Sequence, residues 1–149
     1  MTDLRQLFDD LVRFETVLWS EVDARLRQEC SLTLGSLNVM MVLDRTSECR
    51  VQDVAKALEI TVGGASQAVD RLEAAGGCRR RANPADRRSS LVELTPAGAT
   101  LLHSAIAVFD RELDRLLRQP LPAADLGRLA VSLSALRRTS TGGGAGSRT

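Results

Sequence analysis

The sequence predicts a mainly α-helical fold with one small β-hairpin. Apolar residues recur at three- and four-residue steps over long stretches at both ends of the chain, which is the pattern of an amphipathic helix. Two short helical segments joined by a tight turn lie in the middle, and a basic, turn-rich segment flanked by short apolar runs follows them. The expected order is therefore two helices, a helix-turn-helix, a hairpin and two more helices.

The first two helices are expected over residues 3–29 and about 35–46. The first has one apolar stripe, made of Leu4, Leu7, Phe8, Leu11, Phe14, Leu18, Val22 and Leu26. The second is apolar nearly all round, so we expect it in the core. The string CSLTLGS between them supplies turn and capping residues.

The helix-turn-helix is expected to begin at Val51. After a short helix and a tight turn at Ile60, Thr61 can cap a second helix of about 62–75, because a threonine side chain accepts a hydrogen bond from a free N–H of the first turn. The expected buried side of this helix is Ala65, Val69 and Leu72. Gly76-Gly77 ends it, and the spacing is that of a helix-turn-helix.

A β-hairpin should follow directly. The strings CRRR and SLVEL suit two strands, and ANPADRRS between them contains the turn formers Asn, Pro and Asp. A helix-turn-helix followed by a basic hairpin is a winged helix-turn-helix, which we place at about residues 35–95.

Two further helices are expected after the wing. Thr95-Pro96 starts a long amphipathic helix over 96–119, and a last helix covers about 122–138. The tail, 139–149, has nothing to bury and is expected to be disordered. The helices at 3–29 and 96–138 carry more apolar surface than a small winged helix can cover, so we interpret them as dimerisation helices that flank the winged helix-turn-helix.

Length and composition favour one soluble domain over residues 1–138. The chain has 149 residues, of which 44% are hydrophobic and 26% charged, as in ordinary globular proteins. No apolar run approaches the ~20 residues that span a bilayer. The N-terminus is acidic and amphipathic, unlike a secretory signal. We therefore expect a cytoplasmic protein with no membrane partner.

Residues suited to catalysis or metal binding are scarce. His103 is the only histidine, and Cys30, Cys49 and Cys78 form no C-x-x-C pair, so a zinc site is poorly supported. The sequence has no nucleophile motif and no phosphate-binding glycine-rich loop. We expect no enzyme and no cofactor, and we expect the thiols to be reduced and buried.

The hairpin concentrates positive charge. The formal net charge of the chain is +1, yet residues 79–88 hold five arginines and one acid: Arg79, Arg80, Arg81, Arg87, Arg88 and Asp86. An isolated run of this kind is usually a solvated turn. Directly after a helix-turn-helix, it favours contact with DNA, because basic groups that neutralise phosphates release counterions.

The string DRRSSLVELTPAG, at residues 86–98, resembles the wing signature of the MarR family of bacterial transcription regulators, and the resemblance extends over residues 3 to about 138. The matching positions are Asp86, Arg88, Leu94, Thr95 and Gly98. The resemblance implies a homodimer formed through the terminal helices and a ligand pocket between those helices and the DNA-binding lobe. The family usually shows Gly followed by two apolar residues where this chain has Gly76-Gly77-Cys78, so the extra glycine is expected to loosen the first strand of the wing.

Two segments are the candidate contacts with double-stranded DNA. We expect Arg88 to enter the minor groove at the wing tip, with Asp86 pairing with it and holding its side chain in one orientation, as the resemblance implies. Ser66 and Gln67 are the candidate base readers in the major groove. The other candidates are Thr61 and Arg71 for phosphates, and Gly63 and Gly64, which either allow close approach to DNA or simply shorten the first turn. Arg79, Arg80, Arg81 and Arg87 are expected to contact phosphates or solvent.

An effector site is indicated less directly. Trp19 and Asp23, one helical turn apart, and His103 could line a small-molecule pocket. Trp19 also suits a core or interface position, and His103 also suits the surface or a core position with a satisfied hydrogen bond. Cys30, expected to be exposed at the end of the first helix, supports an alternative hypothesis of a thiol-based redox regulator. The leading hypothesis is a homodimeric repressor that binds a pseudo-palindromic operator and is released by a small ligand.

Overall fold

The computed structural model describes residues 1–142 and confirms a mainly α-helical fold with a two-stranded wing. Its elements are α1 (Leu4–Cys30), α2 (Leu34–Arg45), α3 (Val51–Leu58), α4 (Val62–Ala74), β1 (Cys78–Ala82), β2 (Ser90–Leu94), α5 (Pro96–Leu113), a π-helical turn (Asp114–Arg118) and α6 (Ala123–Gly142). The chain divides into two compact units, the first being Met1–Glu112 and the second beginning at Leu113. The single domain predicted over 1–138 stays a prediction.

The core of the first unit is built around α2. The side chains of Leu37, Val39, Met40 and Val42 are almost completely buried, as expected for a helix that is apolar nearly all round. α2 packs against α1, α3, α4 and β2. Of the apolar stripe of α1, only Val22 and Leu26 belong to this core. The N-terminal part of the stripe is exposed in the single chain.

Side-chain caps fix the starts of α1, α2 and α4. Asp3 accepts a hydrogen bond from the backbone N–H of Arg5 at 3.0 Å, at the start of α1. Thr33 accepts one from the N–H of Ser36 at 3.0 Å, at the start of α2. Thr61 does the same for α4, as the sequence predicts. These caps satisfy N–H groups that have no partner inside a helix.

The base of the wing is held by close backbone contacts. β1 and β2 pair antiparallel, with Cys78 opposite Leu94. The carbonyl of Gly77 accepts a hydrogen bond from the N–H of Thr95 at 3.1 Å, and the Thr95 hydroxyl donates to the Gly76 carbonyl at 2.6 Å. A Cβ at Gly98 would lie 1.8 Å from that Gly77 oxygen.

The expectation that the extra glycine loosens β1 is therefore wrong. Gly77 is buried, and a Cβ on it would approach the Cδ1 atom of Leu72 to 2.6 Å. Its N–H donates to the Leu72 carbonyl at 2.9 Å. The glycine lets the end of α4, the wing and the start of α5 meet at one point.

The last two predicted helices differ from the structure at their boundaries. The helix expected over 96–119 is α-helical only to Leu113 and then widens into the π-helical turn, where the N–H of Gln119 donates to the Asp114 carbonyl at 3.0 Å. α6 continues four residues beyond the predicted end at 138, and the hydroxyls of Thr139 and Ser140 donate to the Leu136 carbonyl. Of the tail predicted to be disordered, 139–142 are thus helical and 143–149 lie outside the described residues. Within residues 1–142 no helix combines the length and the apolar character that crossing a membrane requires.

Candidate nucleic-acid interface

α4 presents one exposed face, as expected for a recognition helix. Its buried face consists of Ala65, Ala68, Val69 and Leu72, which includes the three residues predicted from the sequence. On the opposite side Gly63, Gln67 and Arg71 are exposed and Ser66 is half-buried. Arg71 forms no ion pair with another residue of the described part of the chain. The candidate base readers are therefore accessible.

The two glycines at the start of α4, Gly63 and Gly64, differ in the space that surrounds them. A Cβ at Gly63 would meet no atom within 4 Å, so nothing in the fold requires glycine at this position. A Cβ at Gly64 would lie 3.1 Å from the hydroxyl oxygen of Thr61, which accepts the capping hydrogen bond from the Gly64 N–H at 3.0 Å. Gly64 thus suits the cap, whereas Gly63 leaves room for an outside molecule to approach the backbone.

The outer face of the wing carries Arg79 and Arg81, both paired with Glu93. The Nε atom of Arg79 lies 2.9 Å from Glu93 Oε1, and that of Arg81 lies 3.2 Å from Glu93 Oε2. The hydrogen bond from Arg79, with the charge of both arginines, holds the pKa of Glu93 below its ordinary value. The three side chains together carry a net charge of only +1. Sequence reasoning missed this pairing, although the glutamate in SLVEL stands directly across from Arg79 in the hairpin.

The inner face of the wing carries Arg80, which is turned toward the recognition helix. Its guanidinium forms ion pairs with Asp70 and Glu73 of α4. Its side chain is 26% exposed, against 62% for Arg79 and 43% for Arg81. The sequence suggested phosphate or solvent as the partner of Arg80. Instead it joins two elements of the protein.

The wing tip holds two cations that have no ion pair among the described residues, Arg87 and Arg88. Asp86 does not pair with the Arg88 guanidinium, contrary to the prediction. Its Oδ1 accepts a hydrogen bond from the Arg88 backbone N–H at 2.9 Å, and its Oδ2 accepts one from the Ser89 hydroxyl at 3.4 Å. Asp86 therefore shapes the backbone of the turn, as short acidic side chains commonly do. Both guanidinium groups are left to solvent or to a ligand.

A groove of about 260 Å³ lies between α3, α4 and the wing. Its lining includes Arg50, Val62, Ser66, Arg80, Arg88 and Ser89. Hydrogen bonds from Arg50, first from its backbone N–H, hold the pKa of Asp53 below its ordinary value. The sequence did not identify Arg50 or Val62. Both lie next to predicted helix starts, which is the only signal that could have pointed to them.

The candidate effector residues lie in different surroundings. Trp19 is 46% exposed beside a shallow depression lined by Glu15, Thr16, Trp19 and Ser20, all of α1. His103 is exposed on α5.

Asp23 has a structural role. Its Oδ1 accepts a hydrogen bond from the Leu34 N–H at 2.8 Å, and its Oδ2 accepts one from Arg27 at 2.6 Å. Burial raises the pKa of Asp23, but these interactions outweigh burial and the net pKa lies below the ordinary value. Asp23 therefore ties α1 to the start of α2.

The thiols are poorly suited to redox sensing. Cys30 is half-buried, not exposed as expected, and burial together with Glu29 raises its pKa in spite of Arg111. Cys49 and Cys78 are buried, and burial followed by the charge of Glu73 raises the pKa of Cys78 to about 11. A raised pKa lowers the fraction of reactive thiolate. Within residues 1–142 no three His, Cys, Asp or Glu side chains are grouped so that they could hold a metal ion.

Sequence comparison identifies one family. The sequence model of the MarR family matches residues 32–90, which include the helix-turn-helix and most of the wing. The multiple antibiotic resistance protein MarR of Escherichia coli (strain K12) is 30% identical over 81 residues, covering 54% of this chain and 56% of that protein. The match thus spans about half the length of this curated relative.

Solved structures agree with the fold. Sco3205, a MarR family transcriptional regulator from Streptomyces coelicolor solved in complex with DNA, has a TM-score of 0.85 at 22% identity, covering 93% of this chain and 92% of that chain. CouR from Rhodococcus jostii RHA1, solved bound to p-coumaroyl-CoA, has a TM-score of 0.74 at 24% identity, covering 85% and 87%. The central segment of the chain thus matches the MarR family model, and most of its length shares the fold of solved MarR family proteins.

Proposed function

We propose that this protein is a transcriptional regulator of the MarR family and that it binds double-stranded DNA sequence-specifically. The observation that carries the proposal is the pair of unpaired arginines, Arg87 and Arg88, at the tip of a wing next to the exposed face of α4. Arginines at such a tip can enter a narrow minor groove, whose potential is strongly negative. The exposed Gln67 and the half-buried Ser66 are placed on the helix that would enter the major groove. Sco3205, which shares the fold, was solved with DNA.

The regulator would act as a homodimer. The first half of α1 exposes a run of large apolar side chains: Leu4, Leu7, Phe8, Leu11, Val12 and Phe14. In the second unit, α6 exposes Val131, Leu133 and Leu136. Apolar surface of this extent normally marks a protein interface. A second copy could cover the apolar side chains of each unit, and the dimer would present two wings and two recognition helices to a pseudo-palindromic operator.

We further propose repression that a small ligand relieves. CouR, with the same fold, was solved with a bound small molecule, p-coumaroyl-CoA. In this chain the depression beside Trp19 lies on α1, the helix with the largest uncovered apolar surface. A ligand there would act by preferring one spacing of the two DNA-binding lobes, with a typical coupling of about 1–3 kcal/mol. No observation favours the redox alternative, since Cys30 is half-buried and its pKa is raised.

The test is selection of bound fragments from the source genome, followed by fluorescence anisotropy at a stated salt concentration. The expected result is that a selected duplex binds at least about a thousandfold more tightly than a scrambled duplex of the same composition. Equal affinity for the two duplexes would contradict a sequence-specific regulator. Binding of neither duplex would contradict DNA binding altogether.

A further inference from the structure

We propose that Arg80 is a positioning residue that clamps the wing to the recognition helix and thereby decides which base pairs the wing tip reads. This inference rests on the proposed function, because it concerns how DNA is read. It concerns Arg80 on β1, whose guanidinium pairs with α4, and the two acids of α4 that bind it, Asp70 and Glu73.

The clamp consists of three contacts between β1 and α4. Arg80 Nη2 lies 2.8 Å from Asp70 Oδ1, and Arg80 Nη1 lies 3.0 Å from Glu73 Oε1. The backbone N–H of Arg80 donates to Glu73 Oε2 at 2.9 Å. Glu73 thus binds both the side chain and the backbone of the same residue. Burial lowers the pKa of Arg80, but the bonds to both acids outweigh burial, and the net pKa is raised.

The clamp lies at the centre of β1, where it can fix the orientation of the wing tip. A two-stranded hairpin is marginally stable by itself, so its orientation depends on what it packs against. The base is held where the end of α4 meets Gly77 and Gly98. Arg80, at the centre of β1, is the next point that faces α4. Exposed ion pairs contribute little to global stability, so the main effect of this cluster should be on orientation.

The signs of the charges also favour positioning over DNA contact. The side chains of Asp70 and Glu73 are 61% and 40% exposed on the recognition helix, where carboxylates would repel phosphates. Arg80 offsets part of this repulsion, and the acids in turn engage its guanidinium. Removing the two acids would make the interface more positive, so simple electrostatics predicts tighter DNA binding. A clamp predicts instead that the wing loses its register.

Three variants separate these possibilities, compared with the parent protein on duplexes derived from the selected genomic fragment. Arg80→Met removes the clamp, and Arg79→Met is the matched control, because it removes one charge from the neighbouring residue without breaking a contact to α4. Asp70→Ala combined with Glu73→Ala removes the clamp from the other side, and alanine preserves the helix. Two duplexes are needed: the selected fragment, and the same fragment with G·C in place of A·T at the outer positions that face the wings.

We expect the parent and Arg79→Met to discriminate between these duplexes by about tenfold. Arg80→Met and the double variant should discriminate less than about twofold, while all four proteins still reject a scrambled central sequence. Unchanged discrimination in Arg80→Met or the double variant would overturn the inference and leave the proposed function standing. A parent protein that binds its fragment without any flank preference would also overturn it.

A second measurement does not depend on DNA. Amide hydrogen exchange in the free protein reports the Arg80 N–H, which the Glu73 carboxylate protects. We expect exchange at least about tenfold faster in the double variant, with the amides of the α2 core unchanged. Equal exchange would show that no clamp exists. Faster exchange in a protein that binds no DNA would confirm the clamp and contradict the proposed function.

Discussion

The close contact between α5 and the base of the wing gives a direct test of the packing. In Gly98→Ala the new Cβ would lie 1.8 Å from the carbonyl oxygen of Gly77, 2.8 Å from its carbonyl carbon and 3.1 Å from its Cα. All three are backbone atoms, so no side chain can rotate away. The two backbones must separate by about 1 Å or more before the methyl group fits, since side-chain carbons are normally at least about 3.5 Å from their neighbours.

The expected cost follows from what that separation disturbs. Overpacking a tight site costs about 1–3 kcal/mol. The hydrogen bonds from Thr95 to the Gly77 and Gly76 carbonyls contribute about 1 kcal/mol each and would lengthen. The better helix propensity of alanine offsets up to about 1 kcal/mol of this loss in the free energy of unfolding. We therefore expect the free energy of unfolding to fall by about 2–4 kcal/mol, and the melting temperature of a chain of this size to fall by roughly 5–15 °C.

Gly63→Ala is the matched control. Gly63 also lies in the first turn of a helix, but a Cβ there would meet nothing within 4 Å. Its stability should be unchanged or should rise by up to about 1 kcal/mol. Urea denaturation followed by circular dichroism measures both variants. A Gly98→Ala protein as stable as Gly63→Ala would refute the close contact, and with it the idea that α4, the wing and α5 meet at one rigid point.

Three further predictions follow from the site and its supports. In anisotropy titrations, Arg88→Ala should lower the steepness of the plot of log K for DNA binding against log salt by about 0.9, the value for one lost phosphate contact. Arg79→Ala should lower it less, because Glu93 already offsets the charge of Arg79. Equal slopes for the two variants would count against a DNA contact by the wing tip. Asp23→Ala should cost about 1 kcal/mol at neutral pH through loss of the bond to the Leu34 N–H. Because folding lowers the pKa of Asp23, the stability that its carboxylate contributes is present above the ordinary pKa of about 3.9 and is lost as the pH falls through the folded-state pKa. The melting temperatures of Asp23→Ala and the parent protein should therefore converge in acid. A difference that stays constant with pH would exclude the carboxylate as the cause. Phe8→Asp should convert a dimer into a monomer in analytical ultracentrifugation, and an unchanged sedimentation coefficient would place the interface elsewhere.

Helix periodicity and caps made most of the fold predictable. The helical spacing of apolar residues in α1 and α4 can be read directly from the sequence. A threonine directly before a helical stretch commonly caps the helix, as Thr61 does. The buried side Ala65, Val69 and Leu72 follows from the same periodicity. The basic wing was recognisable from its arginines and turn residues. These features are local in the chain, and sequence reasoning is strongest for local features.

The errors concern contacts that depend on register and on distant partners. The sequence shows that Arg79, Arg80 and Arg81 are charged, but only strand pairing decides that they alternate between Glu93 and α4. Asp86 binds a backbone N–H because the turn brings that group closer than the guanidinium. The bond from the Leu34 N–H to Asp23 was missed, and Gly77 was misjudged, for the same reason: their partners lie in the first turn of α2 and in α5. A composition or a motif contains no information about these distances.

Hydroxyl-radical footprinting of a selected genomic duplex tests the central claim most directly, since it reports where the protein covers the DNA along both strands. A homodimeric winged helix-turn-helix predicts two protected half-sites related by a pseudo-twofold axis, about one helical turn or ~34 Å apart, with minor-groove protection on the outer side of each. In Arg88→Ala the outer protection should disappear while the half-sites remain. A single protected site, or uniform protection along the duplex, would contradict a dimeric regulator that reads an operator with two recognition helices and two wings.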